Sequence, residues 1–189
     1  MGLDTNKTTM AAAMARNEVV RRHYSRIGFV SVGQEPALME LQKQVYSQLT
    51  NEDKMEAVKK PTVAKLREVL QQAVCGKTWL VIMDDIWQAD HERSLNFIDE
   101  AALRSKVLVT TRLAKLLPGY VEVALGLLSE QEAVELLLGT AEIAVASETQ
   151  VDAAKKIAKQ TGSLPLYLTL VGRLIYEFDT AEPWETEIV

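Results

Sequence analysis

The stretch Trp79-Leu80-Val81-Ile82-Met83-Asp84-Asp85-Ile86-Trp87 decides the fold: five apolar residues run straight into two adjacent carboxylates. A strand buried on both faces of a parallel sheet reads as such an unbroken apolar run. Ligands in open α/β sheets gather beyond the carboxyl ends of the strands. Two acids there suit a cation held to phosphate, because Mg²⁺ keeps most of its waters and takes one or two protein carboxylates. The plainer alternative is a strand running into a turn, where Asp is also common.

Outward from this strand, helical and β patterns alternate. Residues 8–23 read as one Ala- and Met-rich helix, and 26–33 (RIGFVSVG) as a short strand stopped by Gly33. Pro36 suits the first turn of a helix carrying Leu38, Leu41, Val45 and Leu49 at helical spacing. The stretch 50–60 is charged and aperiodic, an exposed connection. Pro61 opens a helix striped by Val63, Leu66, Val69, Leu70, Ala73 and Val74, with Gly76 as its stop. After the carboxylate strand, placed at 78–86, come a short helix near 90–100, a strand at 105–112 (SKVLVTTR) and an alternating strand at 120–125. This rhythm predicts a parallel sheet with helical crossovers. Beyond Leu128 strands cease. Ser129 and Glu132 form a capping-box signature for a helix ending at Gly139, and helices near 149–161 and 164–178 follow. In the last of these, Leu168, Val171, Leu174, Ile175 and Phe178 read as a core stripe. The division predicted is an α/β domain over 1–128 and a small helical subdomain over 129–189.

The bulk composition sets bounds. A chain of 189 residues with 48% apolar and 25% charged residues has material for a real core. A formal charge of −5 and the lack of a dense basic stripe leave nucleic acid unimplied as a partner. Cys75 is the single cysteine, which agrees with a reducing compartment. No apolar run reaches membrane-spanning length, and the amino terminus lacks the apolar segment of a secretory signal. Asn6 stands where a myristoylation motif wants Ser or Thr. A cytoplasmic protein is expected. His23 and His91 have no Cys or His neighbours in a metal-ligand pattern, and Trp79 and Trp87 read as packing residues.

Before the first helix stands Asn6-Lys7-Thr8-Thr9. A phosphate-binding loop reads G-x-x-x-x-G-K-[ST]: its backbone N–H groups cradle phosphates, Lys reaches the terminal ones and the hydroxyl meets Mg²⁺. Lys7 and Thr8 fit the end of that pattern, ahead of a helix whose N-terminus favours anions. The glycines do not fit. Asn6 replaces the second, and Asn is the residue that best tolerates a left-handed backbone after glycine.

Four segments in order, Lys7-Thr8-Thr9, WLVIMDDIW, SKVLVTTR and Gly162-Ser163-Leu164-Pro165-Leu166, resemble the NB-ARC domain. That domain is the nucleotide switch of plant disease-resistance proteins and apoptotic-protease-activating factors, in the STAND class of P-loop ATPases. The resemblance implies a three-layer P-loop fold binding ADP or ATP, with Mg²⁺ accompanying ATP. It implies that Lys7 contacts the β- and γ-phosphates, that Thr8 coordinates Mg²⁺ and Asp84 holds it, usually through water, and that Asn6 and Thr9 belong to the same loop. Asp85 would orient or deprotonate an attacking water, Arg112 would read the terminal phosphate, and Pro165 would pack beside adenine. Ser163 stands where glycine is commoner, small enough to act as a helix N-cap.

In that family a strand precedes the loop and lies centrally, between the carboxylate strand and the TTR strand. This sequence has no counterpart for it. Its absence is expected to leave two facing edges unpaired, at about 1–3 kcal/mol for each buried orphan, against a domain stability of about 5–15 kcal/mol. The chain is therefore expected to be a fragment, a truncated gene model or a decayed copy. Its partners would be nucleotide and either other domains of a longer parent or further copies. Two other readings stand beside the nucleotide switch: a non-enzymatic oligomerisation or adaptor fragment with a degenerate site, and a P-loop enzyme of another kind. The last would need a glycine- and arginine-rich lid, and no such segment is visible.

Overall fold

The computed structural model describes residues 7–52, 58–99, 102 and 104–178. These fall into two compact units, Lys7–Glu122 and the residues from Val123 onward.

The first unit is built on β2 (Trp79–Ile86), the apolar run ending in acids. It lies between β1 (Arg26–Gly33) and β3 (Lys106–Thr111), and all three strands are parallel. Alternation along β2 divides its side chains between two layers. Trp79, Val81 and Met83 join Val45 and Leu49 of α3 (Leu38–Thr50), Leu66 and Leu70 of α4 (Val63–Val74) and Leu95 of α5 (Ala89–Leu95). Leu80 and Ile82 face the other way, onto Ala11 of α1 (Lys7–Arg16) and Val20 of α2 (Glu18–His23). The result is a helix–sheet–helix sandwich with β2 as its spine. Each such buried aliphatic side chain stabilises it by roughly 1.5–3 kcal/mol.

Polar groups tie the layers where apolar ones cannot. Gln42, fully buried on α3, donates its amide to the Val63 and Ser94 carbonyls and so joins α3 to the segments of α4 and α5. On the outer edge of β1, Gln48 accepts from the Phe29 N–H at 2.7 Å and donates to the Phe29 carbonyl at 3.0 Å.

Several expectations need correction. The helix read over 8–23 is two helices, because the Asn17 side chain accepts from the Val19 and Val20 N–H groups and starts a new one. The facing edges expected to stand open are closed. Among the described residues no strand precedes β1, and β2 pairs directly with β3, from Leu80 opposite Lys106 to Met83 opposite Val109. The ladder groups satisfy one another, so the expected orphans do not arise.

The strand read at 120–125 is not formed. Val121 and Val123 are 93% and 77% exposed, and the segment is tied by side chains instead. The Tyr120 hydroxyl donates to Glu92 Oε1 on α5 at 2.6 Å and accepts from Asn96 Nδ2, while Glu122 accepts from the Lys115 N–H. Burial, then the Glu92 carboxylate, pushes the Tyr120 hydroxyl far above its usual ionisation range.

The second unit packs α6 (Glu130–Thr140), α7 (Glu148–Gln160) and α8 (Pro165–Phe178) around Ala133, Leu137, Ala154, Ile157 and Leu168. The capping box at Ser129 and Glu132 is present, and hydrogen bonds from the Ser129 N–H and hydroxyl hold the Glu132 carboxyl below its usual range. Ser147 with Gln150 makes a second such box. Of the core stripe read in α8, Leu168, Val171 and Ile175 point inward, whereas Leu174 and Phe178 are exposed. Where α8 crosses α6, Gly172 leaves no space for a side chain. A Cβ there would overlap the Thr140 hydroxyl and lie 2.9 Å from the Leu137 carbonyl oxygen. Among the described residues no helix is long and apolar enough to cross a membrane.

Ser163 is not the N-cap of α8. It takes φ +54°, directly after Gly162 at +62°, in the left-handed turn that ends α7. A side chain in that conformation costs about 1 kcal/mol relative to glycine. Ser163→Gly is expected to raise the stability of the helical unit by up to about 1 kcal/mol, read as a higher urea midpoint at unchanged slope.

Candidate functional site

The carboxyl end of β2 carries the site, and its geometry follows from a break in the ladder. Continued alternation would turn Asp85 inward, onto the face of Trp79, Val81 and Met83. The register instead shifts between Met83 and Ile86. Asp85 takes φ +60°, its carboxylate lies beside Arg112 with the side chain 32% exposed, and Ile86 fills the inner position. One extra residue in β2 thus keeps a charge out of the core, as β-bulges near functional sites do.

The bulge leaves Asp84 and Asp85 together opposite Thr110, the first threonine of the TTR segment. Its hydroxyl donates to Asp84 Oδ1 at 2.6 Å and accepts from the Asp85 N–H at 2.9 Å. A side-chain oxygen thereby replaces the ladder partner that the bulge removes. The other oxygen, Asp84 Oδ2, accepts from the Thr8 hydroxyl at 2.8 Å. Asp84 is 2% exposed and hydrogen-bonded on both oxygens, the condition under which a buried carboxylate is tolerated. Asp85 is half-buried, with Arg112 Nε 3.6 Å from its Oδ1. The Arg112 guanidinium also lies over the Trp87 ring, 5.7 Å from its centroid, within cation–π range.

The structure therefore brings Thr8, Asp84, Asp85 and Arg112 to one end of the sheet. Lys7 opens α1 immediately before Thr8, so the amino-terminal turn of that helix meets the end of β2. Thr9 is exposed on the same turn. Asn6 lies outside the described residues. Pro165 begins α8 in the helical unit. Sequence reasoning missed Thr110 and gave Trp87 only a packing role. The register that sets Thr110 against Asp84 exists because β2 and β3 are neighbours, and the topology implied by the resemblance put another strand between them.

The donor set fits Mg²⁺. A hydroxyl and a carboxylate oxygen are both hard ligands, and one carboxylate is what Mg²⁺ takes when phosphate and water complete its shell. The Thr8 hydroxyl oxygen can hold Mg²⁺ while its proton stays directed at Asp84 Oδ2, 2.8 Å away.

A parallel α/β sheet with a helix N-terminus, a hydroxyl and an acid pair at one carboxyl end defines a protein with a candidate phosphate site. Comparison with known proteins narrows that class: residues 4–151 match the NB-ARC domain, and the chain belongs to that family. A probable disease resistance protein of Arabidopsis thaliana is 30% identical over 92% of this chain and 20% of its own length. Disease resistance protein RGA2 of Solanum bulbocastanum is 25% identical over 95% of this chain and 19% of its own length. The chain spans about a fifth of the length of the curated relatives it matches.

Proposed function

We propose that the chain is an ADP- and ATP-binding module of a defence-type signalling protein, cytoplasmic, with slow ATP hydrolysis at most. The observation that carries this reading is the 2.8 Å contact between Thr8 and Asp84, which joins the amino-terminal turn of α1 to the acid pair of β2. In this reading residues 1–128 form the nucleotide domain and 129–189 the first helical subdomain. Lys7 binds the β- and γ-phosphates, aided by Asn6, Thr9 and the exposed N–H groups of its turn. Thr8 and Asp84 hold Mg²⁺, which when bound neutralises phosphate charge. Arg112 reads the terminal phosphate and Pro165 packs against adenine. Asp85 orients water beside Arg112, whose Nε lies 3.6 Å from its Oδ1.

Calorimetric titration of ADP and ATP, with and without Mg²⁺, tests the assignment against Lys7→Ala. A lost charge-assisted contact of about 1.5–3 kcal/mol weakens binding roughly 10- to 100-fold. Equal affinities for the two proteins would refute the phosphate role of Lys7.

One observation favours a second reading, an adaptor or oligomerisation module that keeps the fold around a degenerate site. Both oxygens of Asp84 are already engaged by protein hydroxyls, so the acid is satisfied by the fold itself. ATP turnover that disappears in Asp84→Ala would eliminate that reading.

A further inference from the structure

We propose that Trp87 is a positioning residue for Arg112: its indole ring holds the guanidinium plane at the carboxyl end of the sheet and so sets the ratio of triphosphate to diphosphate affinity. This role rests on the reading of Arg112 given above, as the residue that meets the terminal phosphate. Three observations carry it. The ladder re-forms beyond the bulge with Ile86 opposite Thr111, so the next residues, Trp87 and Arg112, come out side by side. The Arg112 guanidinium carbon lies over the indole ring, 5.7 Å from its centroid, within the range at which a cation is drawn to an aromatic face. The indole N–H is buried and meets no acceptor among the described residues, although a buried tryptophan usually finds one. Trp87 is therefore not anchored through its polar edge, and its face is what it offers. Without the extra residue of β2, Ile86 would stand beside Arg112 and the ring would fall one step further on.

A guanidinium has two kinds of surface. Its faces are weakly hydrated and stack on aromatic rings, whereas its N–H groups lie in the plane and point outward to oxygen acceptors. A ring against one face fixes the tilt of that plane without using any N–H group, and Nε lies 3.6 Å from Asp85 Oδ1. The Arg112 side chain is 41% exposed, and a long side chain at such a place loses rotamer freedom on meeting a ligand. Holding it beforehand removes part of that cost. Only a ligand that reaches Arg112 gains from this, which on the reading above is the triphosphate.

The test titrates the full chain calorimetrically with ADP and with a non-hydrolysable ATP analogue, in Mg²⁺, and reads the ratio of the two affinities. Arg112→Ala sets the ratio expected when the guanidinium is gone. Trp87→Leu should lower the wild-type ratio about three- to tenfold, with ADP affinity unchanged. Trp87→Phe, which keeps a ring face, should restore most of it. Trp87→Met, whose flexible side chain fills the space without a ring, takes the place of leucine if that variant does not fold. In the Arg112→Ala chain, Trp87→Leu should change the ratio no further. Equal weakening of both nucleotides in Trp87→Leu would mark a merely structural role and overturn the proposal, as would an unchanged ratio or a further fall in the double variant. In each of those cases a lowered ratio in Arg112→Ala leaves the reading of Arg112 standing. An unchanged ratio in Arg112→Ala, or no nucleotide binding by the wild type, would refute that reading and the role of Trp87 with it.

Discussion

If the proposed function holds, Asp84→Ala is expected to remove the Mg²⁺-dependent part of nucleotide binding and to lower the stability of the α/β unit by about 2–4 kcal/mol. Both effects have one origin. The carboxylate is buried, and the Thr8 and Thr110 hydroxyls each donate to one of its oxygens. A hydrogen bond to a charged group is worth about 1.5–3 kcal/mol, and removing its acceptor leaves the partly buried Thr110 hydroxyl without that partner. Relief of the buried charge offsets part of that loss. Asp84→Asn keeps the shape and one acceptor, so it should lose the cation response with a smaller stability change, about 1 kcal/mol. Titration of ADP and ATP with and without Mg²⁺, beside chemical denaturation of each variant, separates the two effects. An Asp84→Ala protein that kept its Mg²⁺ increment would exclude Asp84 as a ligand.

Gly172→Ala is the most damaging small substitution expected in the helical unit. The added Cβ overlaps the Thr140 hydroxyl and sits 2.8 Å from the Thr140 Cβ and 2.9 Å from the Leu137 carbonyl oxygen. The hydroxyl can rotate away, at the expense of its bonds to the Leu136 and Leu137 carbonyls. The backbone oxygen cannot, so α6 and α8 must separate and loosen the packing of Leu137 against Leu168. Overpacking of this kind costs about 1–3 kcal/mol, a large share of what so small a unit holds. Thr140→Ala in the same chain removes the hydroxyl and the γ-methyl but leaves the residue-140 Cβ and the Leu137 carbonyl in place, so rescue should be partial. Full rescue by Thr140→Ala would show that the carbonyl contact does not matter. Denaturant midpoints of the single and double variants read the difference.

Much of this architecture was legible in the residues. The unbroken apolar run of β2 and its terminal acids pointed to a doubly covered parallel strand, because such a strand buries both of its faces. The capping box at Ser129 and the turn glycine Gly76 marked helix boundaries through local chemistry alone. What escaped was non-local. Asn17 has the same helical pattern on both sides, and only its two bonds to following N–H groups reveal a break. The 120–125 segment alternates like a strand, but the side chain of Tyr120 finds a partner on α5. The bulge at Asp85 and the place of Thr110 depend on which strands are neighbours. A chain whose carboxylate and TTR strands pair directly has a site that no motif spacing describes.

Gln48 has a consequence for how the sheet meets other molecules. By bonding the amide group of Phe29 in both directions, it imitates one residue of an additional strand and shuts part of the rim beyond β1. A foreign extended segment that sought to add itself on that flank would first have to evict the glutamine. Accretion of chains edge to edge is thus obstructed on that flank by a single side chain on a helix.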